Sequence, residues 1–200
     1  MDFIVLSSSR GTTFQAVIDA IGSGASQARC LGLIADRNDR GCVSKAHAAN
    51  IPVVIVERTQ GEERGQYDRR LHEAMESLMN SGERKRDVIV ACMGWMFLLS
   101  PWFVNLWKHR ILNVHPSLLP KFPGAHAVED ALRAGETETG MTIHWIDEGL
   151  DTGKIVEQKK CSINPHDTVD SLKDRIQSLE KEWYPKVLQQ LHCGELKMEN

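Results

Sequence analysis

The 200-residue sequence lacks a long apolar run, and it lacks an excess of charge of either sign. Its longest apolar stretch, residues 88–99, is broken by Gly94 and falls short of the ~20 residues that a membrane helix needs. The N-terminus carries Asp2 and no basic segment, which argues against a secretory signal. The net charge of −3 gives no electrostatic footprint for DNA or RNA. We therefore predict a soluble protein with no membrane and no nucleic-acid partner. The sequence leaves monomer and homodimer both open.

Paired cysteines and the common catalytic motifs are missing as well. The five cysteines are scattered and form no C-x-x-C pair, which argues for free thiols in a reducing cytoplasm and against zinc or disulfides. The sequence contains no G-x-S-x-G elbow, no H-E-x-x-H pair, no Walker loop and no G-x-G-x-x-G fingerprint. The sequence therefore lacks the motifs that would assign it to the common hydrolases, the zinc enzymes or the dinucleotide-dependent oxidoreductases. We expect no metal.

What the sequence does contain is an alternation of strand and helix patterns. Segments at helical spacing separate short apolar runs through the first half, and this order favours parallel pairing with right-handed crossovers. Two alternating segments then predict an antiparallel extension, and a long C-terminal helix begins at Thr168 and is interrupted by Pro185. We predict an α/β fold with a Rossmann-like, mostly parallel sheet covered by helices on both faces. Strands are expected at residues 3–6, 30–35, 52–56, 87–92, 111–115, 141–146 and 154–159.

The first predicted strand leads into a turn of small polar residues that opens a helix. Thr12 or Thr13 is suited to be the N-cap of that helix. The free N–H groups and positive dipole end of a helix start also suit a phosphate. Because the turn lacks both a dinucleotide fingerprint and a Walker lysine, a plain N-cap and a phosphate site both stay open.

The most informative stretch is residues 111–120, Ile-Leu-Asn-Val-His-Pro-Ser-Leu-Leu-Pro. Its apolar residues predict the end of a buried strand, and Pro116 ends the pairing because proline cannot donate a ladder hydrogen bond. Asn113 and His115 are two residues apart, so a strand sends both side chains to one side. Ligands bind at the carboxyl ends of strands in open α/β sheets. The alternative is a strand end whose Asn and His only cap a loop.

An acidic, glycine-punctuated loop, residues 147–153, lies between the two predicted antiparallel strands and contains Asp151. An amide N–H and a protonated imidazole can each donate to a developing oxyanion. A carboxylate beside an imidazole raises the imidazole pKa and favours its charged form. Asn113, His115 and Asp151 together would suit acyl transfer through a tetrahedral intermediate. The nucleophile would be external, because no Ser or Cys is obviously activated.

The other histidines are weaker candidates for this chemistry. His126 lies in or near the loop that follows the strand, and it is the only rival to His115. His144 falls within a predicted strand, so we interpret it as mainly structural. The rest fall in predicted helices or turns and are expected at the solvated surface: His47, His72, His109, His166 and His192.

With its Asn-x-His-Pro-Ser-Leu-Leu-Pro motif at residues 113–120 and with Asp151, the sequence resembles the formyltransferase family that uses 10-formyltetrahydrofolate. The resemblance runs essentially end to end and is closest to the glycinamide ribonucleotide (GAR) transformylases of purine synthesis. The motif is specific to the folate formyltransferases as a group, whereas the length and the two end segments point to the purine enzymes. Supporting stretches are residues 5–15, 94–101, 123–124, 140–144, 150–151, 184–185 and 194–198.

The resemblance implies a role for each catalytic residue. His115 would be the general acid, and Asn113 would stabilise the formyl oxygen. Asp151 would keep the imidazole protonated and relay the proton. The implied domain is a single unit over residues 1–200, with a nucleotide-binding half to about residue 108 and a catalytic and folate-binding half from about residue 109.

The resemblance also implies two substrates, GAR and 10-formyltetrahydrofolate, the second as co-substrate, with no metal. The turn that opens the first helix would hold the ribonucleotide phosphate, and the C-terminal helix would hold the rest. These ribonucleotide-binding residues are Gly11, Thr12, Thr13, Gln177 and Glu180. The implied folate-binding residues are Arg64, Met96, Phe97, Leu98, Leu99, Asn113, Asp147, Glu148, Gly149, Leu150 and Asp151.

The chain departs from the family pattern at three places. The turn 9–13 has fewer glycines than usual, Phe97 stands where the purine enzymes often carry Arg, and Thr152 replaces a usual Gly. The same trio could belong to a formyltransferase with another acceptor, such as an amino-sugar nucleotide or methionyl-tRNA, or to a formylfolate hydrolase. Those three kinds of enzyme normally carry extra segments. Two alternatives come from other classes: a non-catalytic nucleotide- or folate-binding module, and an NAD-dependent oxidoreductase, which the missing fingerprint disfavours.

Overall fold

The computed structural model describes residues 1–79 and 87–197. Met198, the last residue of the supporting stretch 194–198, therefore lies outside the described residues. The strands are β1 Asp2–Ser7, β2 Arg29–Ala35, β3 Val53–Ile55, β4 Val88–Cys92, β5 Ile111–His115, β6 Glu138–Trp145 and β7 Ile155–Ser162. The helices are α1 Thr12–Gly22, α2 Gly41–Ala48, α3 Arg64–Leu78, α4 Pro101–Leu106, α5 Ala127–Arg133 and α6 Val169–Cys193. The strands form one sheet in the order β3-β2-β1-β4-β5-β6-β7.

Along the sheet, the pairing changes once from parallel to antiparallel. Strands β1 to β5 pair in parallel, whereas β6 pairs antiparallel with both β5 and β7. The predicted α/β class, the parallel order and the antiparallel extension are confirmed. The extension is longer than predicted, because the β6–β7 pairing already begins with Glu138 opposite Ser162.

The central strands of the sheet are buried on both faces, and β1 shows how one sequence packs against both layers of helices. Phe3 and Val5 join the cluster that packs under α1, α2 and α6. Ile4 and Leu6 join the cluster under α3 and α4. All four side chains are fully buried. A run of apolar residues without polar alternation is what a parallel strand covered on both sides requires.

The start of α1 differs from the prediction that Thr12 or Thr13 is its N-cap. Gly11 is the N-cap, in the left-handed region with φ 73°, and no side chain caps the helix. A Cβ at Gly11 would lie 2.7 Å from the Cα of Cys42, so α2 approaches too closely for any other residue. Both threonines therefore lie inside the first turn, and their hydroxyls are released from capping.

The C-terminal helix also differs from prediction, because Pro185 does not interrupt it. Helix α6 runs unbroken from Val169 to Cys193 with Pro185 inside. Proline removes one helical hydrogen bond. The packing beside it outweighs that loss, since Tyr184, Val187 and Leu188 are fully buried against the sheet. The Tyr184 hydroxyl also donates to the Leu112 carbonyl, 3.1 Å away, which fastens α6 to β5.

The strand order reverses between β1 and β4, since the chain first proceeds outward through β2 and β3 and then returns to the other side of β1. Loops that follow neighbouring strands on the two sides of such a reversal leave a crevice at their carboxyl ends. The polar loop 8–11, the loop after β4 and the end of β5 all meet there. No helix in the described ranges is both long and apolar enough to cross a membrane.

Candidate active site

A cavity of about 940 Å³ opens at this crevice. Residues from both halves of the chain line it, and so does every residue that the sequence predicted for the site except Gly11. Gly11 lies between Arg10 and Thr12, which do line the cavity, and it shapes the turn by its backbone conformation. The resemblance implies that Thr12, Thr13, Gln177 and Glu180 hold the ribonucleotide, so we call their side of the cavity the ribonucleotide end. The side with Arg64, Met96–Leu99 and residues 147–151, for which the resemblance implies folate, is called the folate end.

Hydrogen bonds between the loops after β1 and β4 fix the floor of the cavity. The Ser7 hydroxyl donates to the Met93 carbonyl at 2.8 Å, and the Ser8 amide donates to the Gly94 carbonyl at 3.0 Å. The Gly11 amide donates to the Ser9 hydroxyl at 3.1 Å. These contacts hold the start of α1 at the cavity, where the first amides of the helix have no intrahelical acceptor. An anion placed there would meet N–H groups and the positive end of the helix dipole.

The centre of the cavity is formed by the end of β5. Asn113 and His115 lie on one face of the strand, as the sequence predicts. His115 is buried, and its Nδ1 lies 3.3 Å from Oδ2 of Asp151. Its Nε2 donates to the Phe122 carbonyl at 2.8 Å. Because a carboxylate and a carbonyl can only accept, the ring satisfies both partners when both nitrogens carry a proton.

Asp151 reaches the imidazole from the loop between β6 and β7. Its backbone is in the left-handed region, with φ 53°, and the Gly124 amide donates to Oδ2 at 2.8 Å. The loop is held by Asp147, whose Oδ1 accepts from the Gly149 amide at 3.0 Å and from the Thr152 hydroxyl at 2.7 Å. The predicted proximity of Asp151 to His115 is therefore present, and local contacts fix the loop that provides it.

His144, interpreted from the sequence as mainly structural, is part of this cluster. It lies directly opposite Asn113 in the β5–β6 pairing, and its Nε2 lies 3.1 Å from the Asn113 amide nitrogen and 3.6 Å from Oδ1 of Asp151. Burial lowers the pKa of His144, although its Nδ1 hydrogen bond to the Trp145 carbonyl opposes this shift. The neutral ring donates through Nδ1 to the Trp145 carbonyl, so Nε2 accepts from Asn113 and orients the amide.

The ribonucleotide end is formed by α1 and α6. The Thr13 hydroxyl donates to Oε2 of Glu180 at 3.0 Å, and both residues are buried. Gln177 lies one turn before Glu180 on α6, and Lys173 lies one turn before Gln177; both line the cavity. Lys173 is a cation that the sequence reasoning missed, because a lysine on an amphipathic helix is usually part of the solvated face.

The folate end is formed by loops and by Arg64 at the start of α3, and it is more apolar than the ribonucleotide end. Met96 and Leu98 are largely exposed, whereas Phe97 packs against Tyr67 and Trp95 with ring centroids 5.7 and 5.2 Å apart. The Arg58 guanidinium lies 5.8 Å from the centroid of the Phe97 ring. Where the purine enzymes often carry Arg, this chain therefore has an aromatic ring that packs in an aromatic cluster, and Arg58 provides a guanidinium beside it.

Residues 1–188 match the model of the formyl transferase family. The chain belongs to the formyl transferase family. The phosphoribosylglycinamide formyltransferase of Bacillus subtilis (strain 168) is 34% identical over 190 residues, which cover 94% of this chain and 93% of that protein. The trifunctional purine biosynthetic protein adenosine-3 of Chironomus tentans is 36% identical, but this chain covers only 14% of its length.

Solved structures agree with this membership. The crystal structure of glycinamide ribonucleotide transformylase 1 from Symbiobacterium toebii superposes with a TM-score of 0.91 at 31% identity, covering 100% of this chain and 91% of that one. A formyl transferase has to bring a donor and an acceptor together in one place. In this member of the family, a single cavity joins the ribonucleotide end to the folate end, with the end of β5 between them.

The remaining histidines of this formyl transferase lie away from the cavity. His126, the rival to His115, is exposed and does not line it. His72 was expected at the surface, but it is half-buried, with its ring edge-on to Trp102 and Trp107. The sequence did not reveal this packing because the two tryptophans lie some thirty residues further along the chain. Across residues 1–79 and 87–197, no group of three or more His, Cys, Asp or Glu side chains is arranged to hold a metal ion.

Proposed function

We propose that this formyl transferase moves the formyl group of 10-formyltetrahydrofolate to the amine of GAR, the reaction by which formyl enters the purine skeleton. Family membership and the relatives of matching length support this activity. The observation that carries it in this chain is the contact of His115 with Asp151 beside the Asn113 amide, inside one cavity of about 940 Å³ that both ends line.

His115 is proposed as the general acid. The attack of the GAR amine on the formyl carbon makes a tetrahedral intermediate, and the folate nitrogen must gain a proton to leave. The Phe122 carbonyl holds Nε2 of His115, so the proton shared with Asp151 on Nδ1 is the one at the reacting side. The carboxylate of Asp151 contacts the Nδ1 side of the ring before transfer and can take up the proton that the attacking amine releases.

Asn113 is proposed as the oxyanion donor. One N–H of its amide is directed to Nε2 of His144, which leaves the second N–H for the formyl oxygen. An amide that is already oriented stabilises the developing charge without reorganisation during the reaction. His144 would then act through Asn113, as the residue that fixes its orientation.

The substrates are assigned to the two ends of the cavity. We assign the phosphate of GAR to the start of α1, next to Thr12, and its remaining part to Gln177 and Glu180. The folate is assigned to Arg64, the segment 96–99 and the loop 147–151, whose backbone atoms can read the edge of the pterin ring. The chemistry requires no metal. A cytoplasmic location fits the five free cysteines, since free thiols persist in a reducing compartment.

Incubation of the purified chain with both substrates tests this proposal. The expected product is GAR that has gained one formyl group, detected by mass spectrometry, with an equal amount of tetrahydrofolate. Reactions without GAR separate formyl transfer from hydrolysis of the formyl folate. Tight binding of both substrates without any formylated product would favour a binding module, and formylation of an amino-sugar nucleotide in place of GAR would move the chain to another acceptor.

A further inference from the structure

Thr13 makes a contact that its expected role does not explain. It is the second residue of α1, and a phosphate at the start of the helix would draw its hydroxyl toward that start. The hydroxyl instead donates to Oε2 of Glu180, 167 positions away on α6. The side chain of Thr13 is therefore engaged with another protein group. The phosphate is left with the backbone amides of α1 and with the Thr12 hydroxyl, which lines the same cavity.

Glu180 is a buried carboxyl group whose charge has to be stabilised. Burial raises its pKa to about 7, while the hydrogen bond from Thr13 and the positive charges of Lys173 and Lys181 oppose this rise. The buried Tyr184 phenol also lies near it on α6. Among the described residues, Oε1 of Glu180 has no hydrogen-bond partner, and the residue lines the cavity. One carboxylate oxygen is thus fixed by Thr13, and the other is left for a ligand.

We propose that Thr13 is a positioning residue that holds Glu180 as an ionised, correctly turned acceptor for the vicinal hydroxyls of a ribonucleotide. The inference rests on the proposed function, because that function supplies the ribonucleotide. A carboxylate can accept from two neighbouring hydroxyls, whereas a protonated carboxyl group presents one donor to them. Thr13 therefore contributes to selection of a ribose with two free hydroxyls, and it acts through Glu180 without touching the reacting atoms.

The charge of Glu180 sets the direction of the pH dependence. Ribonucleotide affinity should rise as the pH increases through about 7, where Glu180 loses its proton. Removing the Thr13 hydroxyl removes a hydrogen bond that favours the ionised form, so the midpoint should move to higher pH by about one unit. The phosphate of the ligand also titrates in this range, with a second pKa of about 6. Comparison of variants with the same ligand removes this shared contribution.

Calorimetric titration with GAR alone, between pH 6 and 8.5, tests the inference without requiring turnover. The variants are Thr13→Val, Thr13→Ser and, as a matched neighbour, Thr12→Val. We expect Thr13→Val to shift the midpoint upward and Thr13→Ser to restore it, because serine keeps the donor. Thr12→Val should weaken binding at every pH without moving the midpoint. A second titration with 2′-deoxy-GAR should show wild type discriminating by about tenfold or more, and Thr13→Val discriminating less.

The outcomes separate the inference from the proposed function. If wild type does not bind GAR, the proposed function fails. If wild type binds GAR but Thr13→Val keeps both the midpoint and the discrimination of wild type, the proposed function stands and the positioning role is overturned. Should Thr13→Val fold poorly, Glu180→Gln decides instead. In Glu180→Gln, the affinity for GAR should vary with pH only as far as titration of the phosphate accounts for. If the affinity of Glu180→Gln keeps the wild-type midpoint, the inference is overturned.

Discussion

At the ribonucleotide end, Thr13 and Glu180 are 5% and 9% exposed and face each other from two packed helices. At the folate end, Met96 and Leu98 are 68% and 58% exposed and lie on the loop after β4. Side chains fixed between helices meet a ligand with little further ordering, whereas exposed apolar side chains lose contact with water only when the ligand covers them. If the proposed substrates bind as assigned, the two ends draw binding energy from different sources: preset polar geometry at the ribonucleotide end and new apolar burial at the folate end.

Between the two ends lies the cluster of Asn113, His115 and Asp151, which shares features with both. Its strand is buried and fixed like the ribonucleotide end, but its carboxylate comes from a loop, as at the folate end. Substitutions can therefore separate the chemistry, the polar end and the apolar end, and each should change a different measured quantity.

The largest effect is expected from loss of the chemistry with both ends intact. His115→Ala should lower kcat by ~10³-fold or more, because a positioned acid or base contributes ~10²–10⁴-fold and charge stabilisation is lost with it. Steady-state kinetics with both substrates measures this, and calorimetry should still find both bound. His126→Ala is the matched control, since His126 is exposed and outside the cavity, and it should keep the wild-type rate. A rate for His115→Ala close to that of wild type would remove His115 as the acid.

The next effect is expected from the backbone of the ribonucleotide end. Gly11→Ala forces a left-handed residue and a Cβ 2.7 Å from the Cys42 Cα, so the free energy of unfolding should fall by about 1–3 kcal/mol. The start of α1 must also shift, so KM for GAR should rise while KM for the folate stays nearly unchanged. Gly24→Ala is the control, because Gly24 has φ 78° but no atom within 4 Å of its Cβ position. Equal losses in both variants would show that the contact with α2 is unimportant.

The fold and the position of Asn113 and His115 at a strand end could be predicted because their signals are local. Apolar runs such as Val88–Cys92 and helical spacing between them set the α/β order. Period-2 geometry put Asn113 and His115 on one side of a strand end, and Pro116 marked where it stops. Asp151 was found by residue type and by resemblance, since nothing local shows that its loop returns to β5.

The features that could not be predicted depend on partners that are distant in the sequence. The role of His144 follows from the antiparallel register that pairs it with Asn113, and a shift of one residue would have turned it to the other face. The N-cap prediction failed because it rested on the capping ability of a threonine hydroxyl, whereas the close approach of Cys42 requires glycine at position 11. Pro185 was expected to interrupt α6 because proline is unfavourable inside a helix. The burial of that helix against the sheet outweighs this local effect, and it is a tertiary contact that the local sequence does not show.

A smaller effect is expected from removing an exposed apolar side chain at the folate end. Leu98→Ala should raise KM for 10-formyltetrahydrofolate by about tenfold, because a leucine that a ligand covers contributes about 1.5–3 kcal/mol when fully buried. The free energy of unfolding should change by less than about 0.5 kcal/mol, since the side chain is exposed in the free protein. Ile155→Ala is the control, because this residue is 43% exposed and lies outside the large cavity. A large loss of stability in Leu98→Ala would contradict the exposed, ligand-covered loop.

The smallest effect should come from the loop that carries Asp151. Thr152→Val removes the hydroxyl that donates to Asp147 at 2.7 Å, and a single hydrogen bond is worth about 0.5–1.5 kcal/mol. Freeing the loop reduces the fraction of molecules in which Asp151 contacts His115, so kcat should fall by about two- to tenfold, and Thr152→Ser should restore it. Thr152 is itself exposed, so thermal unfolding should barely change. An unchanged kcat in Thr152→Val would mean that the Gly149 amide and the Gly124 amide alone hold the loop, and the folate end would then be as rigid as the ribonucleotide end.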